Sequence, residues 1–155
     1  MTAARKLPKV QVTNLLRRVL AAEGADPDHF AEQFAKWKRD WPAQEFLNFY
    51  FGKDGDYTRP VRNGQRVLRH VHLPPNPRSP AYRTWELRAA RRSRNTSDAV
   101  LVYAQDSSHG YLLLFIAREP HGHSLGDMGT LDIAKLMNGL AEAAEQFIFA
   151  GDVIL

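Results

Sequence analysis

Two His-x-His pairs, His70/His72 and His121/His123, hold the most reactive side chains of this sequence. Histidine titrates near neutrality and suits either proton role in acid–base catalysis. Arginines lie close by, and a guanidinium supplies a permanent charge shaped to phosphate oxygens. Together these residue types can cut a phosphodiester without a metal. A base takes the proton from the RNA 2′-hydroxyl, which attacks the adjacent phosphorus; an acid protonates the departing 5′-oxygen; cations stabilise the phosphorane. DNA lacks the 2′-hydroxyl, so this chemistry selects RNA. The expected assignment makes His121 the general acid or base, with His70 or His72 in the opposite proton role. Arg94, helped by Arg91 and Arg92, is expected to stabilise the phosphorane. Arg66 and Arg69 are expected to grip the RNA backbone, and Tyr103 to stack on or position a base.

Other chemistries have less support. Four imidazoles suit zinc, copper or nickel, but the neighbouring arginines disfavour a cation, and neither a metal nor another cofactor is expected. With no cysteine, thiol nucleophiles, Cys-ligated metals and disulfides are excluded. No Gly-x-Ser-x-Gly occurs, and the Gly122 to Gly129 stretch lacks the lysine of a phosphate-cradling loop. A nucleic-acid-binding regulator without chemistry is the main alternative, and a His-ligated metalloenzyme a lesser one.

Charge distribution favours a polyanionic partner. The formal net charge is +4, but Arg59 to Arg94 holds ten arginines, no lysine and the single acid Glu86, a segment of about +9 in a chain otherwise acidic. Tyr82 and Trp85 are interleaved with these arginines, the mixture expected of an RNA-contacting surface.

The elements that must position these residues follow from periodicity. The 155 residues, 44% of them apolar, suffice for one domain, taken here as 1–155. Val12, Leu15, Leu16, Val19 and Leu20 have helical spacing up to Gly24, and Asp26-Pro27 starts a second helix carrying Phe30, Phe34, Trp37 and Trp41 as far as Pro42. A short aromatic segment, Phe46 to Phe51, leads into Gly52-Lys53-Asp54-Gly55-Asp56, which reads as a turn. Arg66 to Leu73 alternates as a strand, with Val67, Val71 and Leu73 on one face and Arg66, Leu68, His70 and His72 on the other. Four prolines between Pro74 and Pro80 force an extended loop, followed by a short helix through Tyr82 to Ala90. Ala99 to Gln105 and Tyr111 to Ala117 form a hairpin of central strands. A glycine-containing loop, with His121 near its start, precedes a last helix from Ile133 to Ile148. The fold class is therefore α+β: N-terminal helices, a small antiparallel sheet of three or four strands, and a C-terminal helix. No apolar run is long enough for a membrane helix and Met1 to Val10 lacks a signal-peptide core, so a cytoplasmic protein is expected.

Several of these segments occur together in one known pattern. Phe34-Ala35-Lys36-Trp37-Lys38-Arg39-Asp40, then Phe51-Gly52-Lys53-Asp54 with Tyr57, His70-Val71-His72-Leu73, Ser93-Arg94 with Ala99 and Leu101-Val102-Tyr103, and Glu119-Pro120-His121 follow the order and rough spacing of the YafO-type toxins. The chain resembles this family from about Phe30 to Phe147. The resemblance implies the toxin half of a bacterial type II toxin–antitoxin system. It further implies a ribosome-dependent mRNA interferase similar to the RelE-like toxins, acting on mRNA in the ribosome and held inactive by a cognate antitoxin. His70, His72, Arg94, Tyr103 and His121 match positions of that pattern, whereas His123, Arg91 and Arg92 do not clearly do so.

Overall fold

A computed structural model describes residues 5–41 and 48–155. The expected helix stop at Pro42 and the start of the aromatic segment at Phe46 lie outside those residues. The chain opens with a short strand, β1 (Val10–Val12), so Val12 ends a strand and does not begin a helix. Thr13 makes the transition: its Oγ1 accepts from the Leu16 amide, capping α1 (Asn14–Ala22), and donates to the Leu114 carbonyl at 2.9 Å. Asp26 caps α2 (Pro27–Arg39), with proline in the first turn where no amide is missed.

The residues expected to form a turn instead make an edge strand, β2 (Asp54–Asp56). Next comes a separate hairpin of β3 (Val61–Arg62) and β4 (Gln65–Arg66), turned by Asn63 and Gly64 at φ 50° and 75°. Then follow β5 (Arg69–His72), α3 (Pro80–Ala90), β6 (Val100–Asp106), β7 (Gly110–Ala117), α4 (Gly122–Asp127) and α5 (Leu131–Ala150). The main sheet runs β1-β7-β6-β5-β2, antiparallel except for the parallel β1–β7 pair. It has five strands where three or four were expected; the additions are the two three-residue edges, whose composition carries little strand signal. The α+β class, the N-terminal helices, the central hairpin and the C-terminal helix stand as expected.

The single strand expected over Arg66 to Leu73 is two strands. Val67 and Leu68 are both buried in the cluster beneath α5, so the alternation breaks between them and the chain bends. After the bend, cross-strand partners share a face. His70 pairs with Val102 and His72 with Val100, on the α5 side of the sheet. Arg69 pairs with Tyr103 and Val71 with Leu101, on the side covered by α1 and α2. Helices thus lie on both faces. The glycine-containing loop after β7 is largely the short helix α4.

Candidate functional site

Four aromatic rings form a line from the sheet to the surface. Tyr57 stacks on His70 with centroids 4.3 Å apart; His70 lies 5.7 Å from His72, and His72 lies 6.3 Å from His123. Gly55, opposite His70 on β2, places no side chain beside it. Burial pushes the His70 pKa down to about 4, and the neighbouring His72 pushes in the same direction. Burial also lowers His72 below its ordinary value, against a raising hydrogen bond from Ser97. Both rings are therefore neutral at pH 7. Burial raises the Tyr57 hydroxyl above its usual range.

Each imidazole is held differently. His72 Nδ1 lies 2.7 Å from the Ser97 carbonyl oxygen and 3.0 Å from the Ser97 amide nitrogen. Either tautomer thus finds a backbone partner for Nδ1, which leaves Nε2 as the nitrogen available for chemistry. Ser97 is fixed in turn by its hydroxyl, between the Leu73 and Ala99 carbonyls. His70 Nδ1 and the Tyr57 hydroxyl are buried with no hydrogen-bond partner among the described residues. His123 stands at the exposed end of the line, its side chain 74% accessible. Asp98 Oδ1 accepts from both the His123 amide and its Nδ1, each at 2.7 Å. A carboxylate bonded to Nδ1–H orients the ring and leaves Nε2 as the nitrogen without a hydrogen-bond partner among the described residues.

Backbone contacts hold α4 at both ends against this cluster. The Gly122 amide donates to the Asp98 carbonyl at 2.9 Å, and a Cβ on Gly122 would meet that oxygen at 2.5 Å, so only glycine allows the approach. At the other end Arg59 donates to the carbonyls of Gly126 and Asp127, at 3.0 and 2.9 Å. Between them Gly126 lies over the Tyr57 ring. Residues 95–98 complete the frame. The Asn95 carbonyl accepts from the Lys53 amide, and Lys53 and Gly52 bond the backbone of His72.

The other expected residues are dispersed. His121 precedes α4 as an exposed residue, and its ring makes no hydrogen bond or ring contact among the described residues; its neighbour His123 is the imidazole that joins His72. Tyr103 lies on the opposite sheet face and is fully buried, its hydroxyl donating to Asp54 and accepting from Arg69 Nε at 3.2 Å. Burial, with the adjacent Asp54 carboxylate, raises the Tyr103 hydroxyl well above its usual value. Arg69 also bonds Asp54, and Arg66 pairs with Asp56 at 3.3 Å. Arg91, Arg92 and Arg94 are exposed on the turn after α3, a few residues before Ser97 and Asp98. Asp98, Ser97 and Tyr57 were not expected at the site. Asp98 lies four positions after Arg94 in the sequence, yet the side chain it holds is that of His123.

Among the described residues, no group of three His, Asp or Glu side chains is arranged to hold a metal ion. A groove of about 1190 Å³ lies on the α1/α2 side. Phe30, Tyr50 and Tyr82 line it with the acids Glu23, Asp26 and Glu119, and with His29 and Arg118, the latter paired with Glu23 at 2.6 Å.

In class the molecule is an α+β domain that presents a carboxylate-oriented histidine at the end of a buried imidazole line. The chain belongs to the family Toxin YafO, type II toxin-antitoxin system, whose family model matches residues 35–149. That span begins within α2 and takes in the whole imidazole cluster. No curated protein and no solved structure matches the chain. Family membership makes it a toxin of a type II system and implies an antitoxin partner. Among the described residues, no helix is long and apolar enough to cross a membrane.

Proposed function

We propose that this toxin is a ribosome-dependent endoribonuclease that cuts mRNA by attack of the 2′-hydroxyl. The observation that carries the reading is the placement of His123. Asp98 holds its Nδ1, its second nitrogen has no hydrogen-bond partner among the described residues, and a neutral His72 lies 6.3 Å away on the same sheet face. His123 takes or gives the proton at one oxygen of the scissile phosphate, and His72 Nε2 serves the opposite role. Arg94, on the same connection as Ser97 and Asp98, stabilises the phosphorane. Cytoplasmic mRNA on the ribosome is the substrate, and the antitoxin is the inhibitor.

The test uses purified translating ribosomes, with message integrity read by primer extension. Wild-type protein is expected to cut, leaving a cyclic phosphate and a 5′-hydroxyl. His123→Ala is expected to lose about a hundredfold or more in rate, the usual scale of one acid–base group, and His121→Ala to cut as wild type. An intact message with wild-type protein, or 5′-phosphate ends, would refute the reading.

A further inference from the structure

The ten arginines between Arg59 and Arg94 divide sharply by what they touch. The first four are engaged within the fold. Arg59 bonds the last carbonyls of α4, Arg62 pairs with Glu145 at 3.0 Å, Arg66 with Asp56, and Arg69 with Asp54 and Tyr103. Their carboxylate partners all lie outside the segment, so much of its apparent charge is neutralised by distant acids. Arg78, Arg83, Arg91 and Arg92 differ: all are exposed, and none has a side-chain hydrogen bond or ion pair among the described residues. Arg88 is also exposed and, among the described residues, reaches only the Thr96 hydroxyl, at 3.3 Å.

These unspent cations lie on or beside one unusual helix: Arg83 and Arg88 within α3, Arg78 before it, Arg91 and Arg92 after it. Of the eleven residues of α3, Trp85 alone is buried. It pins the helix through its indole N–H to the Phe49 carbonyl at 2.8 Å, while the Asn95 side chain donates to its carbonyl at 3.2 Å. Every other side of α3 faces out or is half-covered, and the only acid between Arg78 and Arg94 is Glu86. A helix that buries one side chain gains little from its own packing. An anionic partner relieves its repulsion, and its guanidinium forks match phosphate oxygens.

We propose that α3 and the residues flanking it, with Arg78 before the helix and Arg91 and Arg92 after it, form the docking surface for the phosphate backbone of RNA, and that the arginines of β3, β4 and β5 do not. This rests on the reading of the protein as an RNA-directed toxin and adds where the RNA is held. The placement suits cleavage. Arg94 lies four positions before Asp98, a span of at most about 14 Å, so a strand gripped by α3 is delivered beside His123.

The experiment compares two charge-removal variants by fluorescence anisotropy on a labelled 2′-O-methyl RNA hairpin, which cannot be cut by 2′-hydroxyl attack. One variant carries Arg78→Gln, Arg83→Gln, Arg91→Gln and Arg92→Gln; the other carries Arg62→Gln and Arg66→Gln. Circular dichroism confirms that each is folded. If all four α3-side arginines meet phosphates, the slope of log affinity against log salt falls by about 3. Between about 50 and 200 mM salt the wild type then loses on the order of a hundredfold more affinity than the variant. The Arg62/Arg66 variant is expected to keep the wild-type slope. Unchanged binding by the α3 variant, or loss by the Arg62/Arg66 variant instead, overturns the assignment while leaving cleavage at His123 untouched. Tighter binding to a poly-glutamate peptide than to RNA, lost on the same four substitutions, also overturns it in favour of an acidic protein. Conversely, an α3 variant that loses RNA binding supports the surface even if His123→Ala still cuts, a result that refutes only the catalytic reading.

Discussion

Replacing Asp54 by alanine tests what holds the edge of the sheet beside the imidazoles. Its carboxylate is fully buried and accepts from Lys38 Nζ at 2.7 Å, from Arg69 at 3.3 Å and from the Tyr103 hydroxyl. Lys38 is itself only 5% accessible, ringed by Trp37, Trp41, Tyr103 and Tyr111 at 4.5 to 5.8 Å. Removing one member of a buried ion pair costs about 3–5 kcal/mol, because the surviving charge keeps its desolvation penalty. The aromatic faces around Lys38 offset about 1 kcal/mol of that, so the expected loss is about 3 kcal/mol. That is a large share of the 5–15 kcal/mol typical of a domain. Urea unfolding followed by tryptophan fluorescence measures it directly, since Trp37 touches the network. A double variant, Lys38→Met with Asp54→Asn, removes both charges and is expected to recover at least half of the loss. A cost below about 1 kcal/mol for Asp54→Ala, or a double variant no better than the single, would refute the account of a dry pocket in which Asp54 neutralises the buried Lys38.

Two more outcomes follow from the site. His70 is held neutral with its pKa near 4 against an ordinary 6.5, so its contribution is fully present above pH 6.5 and is lost as pH falls towards 4. Allowing for its partial exposure, stability measured by urea titration should drop by about 2 kcal/mol over that interval, and His70→Phe should flatten the profile. A wild-type profile level from pH 7 to 4.5 would contradict this. Gly122→Ala drives a methyl group into the Asp98 carbonyl and should cost about 1–3 kcal/mol. It should lower message cleavage tenfold or more by displacing His123 from Asp98; full activity at full fold would show that this approach is not needed.

The elements legible from periodicity were those with long, one-sided patterns: the aromatic stripe of α2, the apolar hairpin of β6 and β7, and the long α5. Edge strand β2 escaped because Asp54-Gly55-Asp56 has turn composition and pairs only because β5 supplies partners. The imidazole cluster was half visible. Two histidines two apart on a strand must share a face, but which side of the sheet Tyr103 takes depends on the β5–β6 register, which no local pattern encodes. Choosing between His121 and His123 required the path of α4, set by Asp98 and Gly122 contacts across 25 residues or so of chain. Charge counting erred for a similar reason: Arg62 meets Glu145 across 83 residues, so a window sees the cation and misses the anion.

The parallel pairing of β1 with β7 also bears on the order of events during synthesis. Val10 meets Tyr111, so β1 has no strand partner until β7 has been made, and its closure costs a correspondingly long loop. The histidine-bearing α4 is made later still. The sheet edge and the exposed imidazole thus both wait on β7: β1 can pair only once β7 exists, and His123 follows it in the chain.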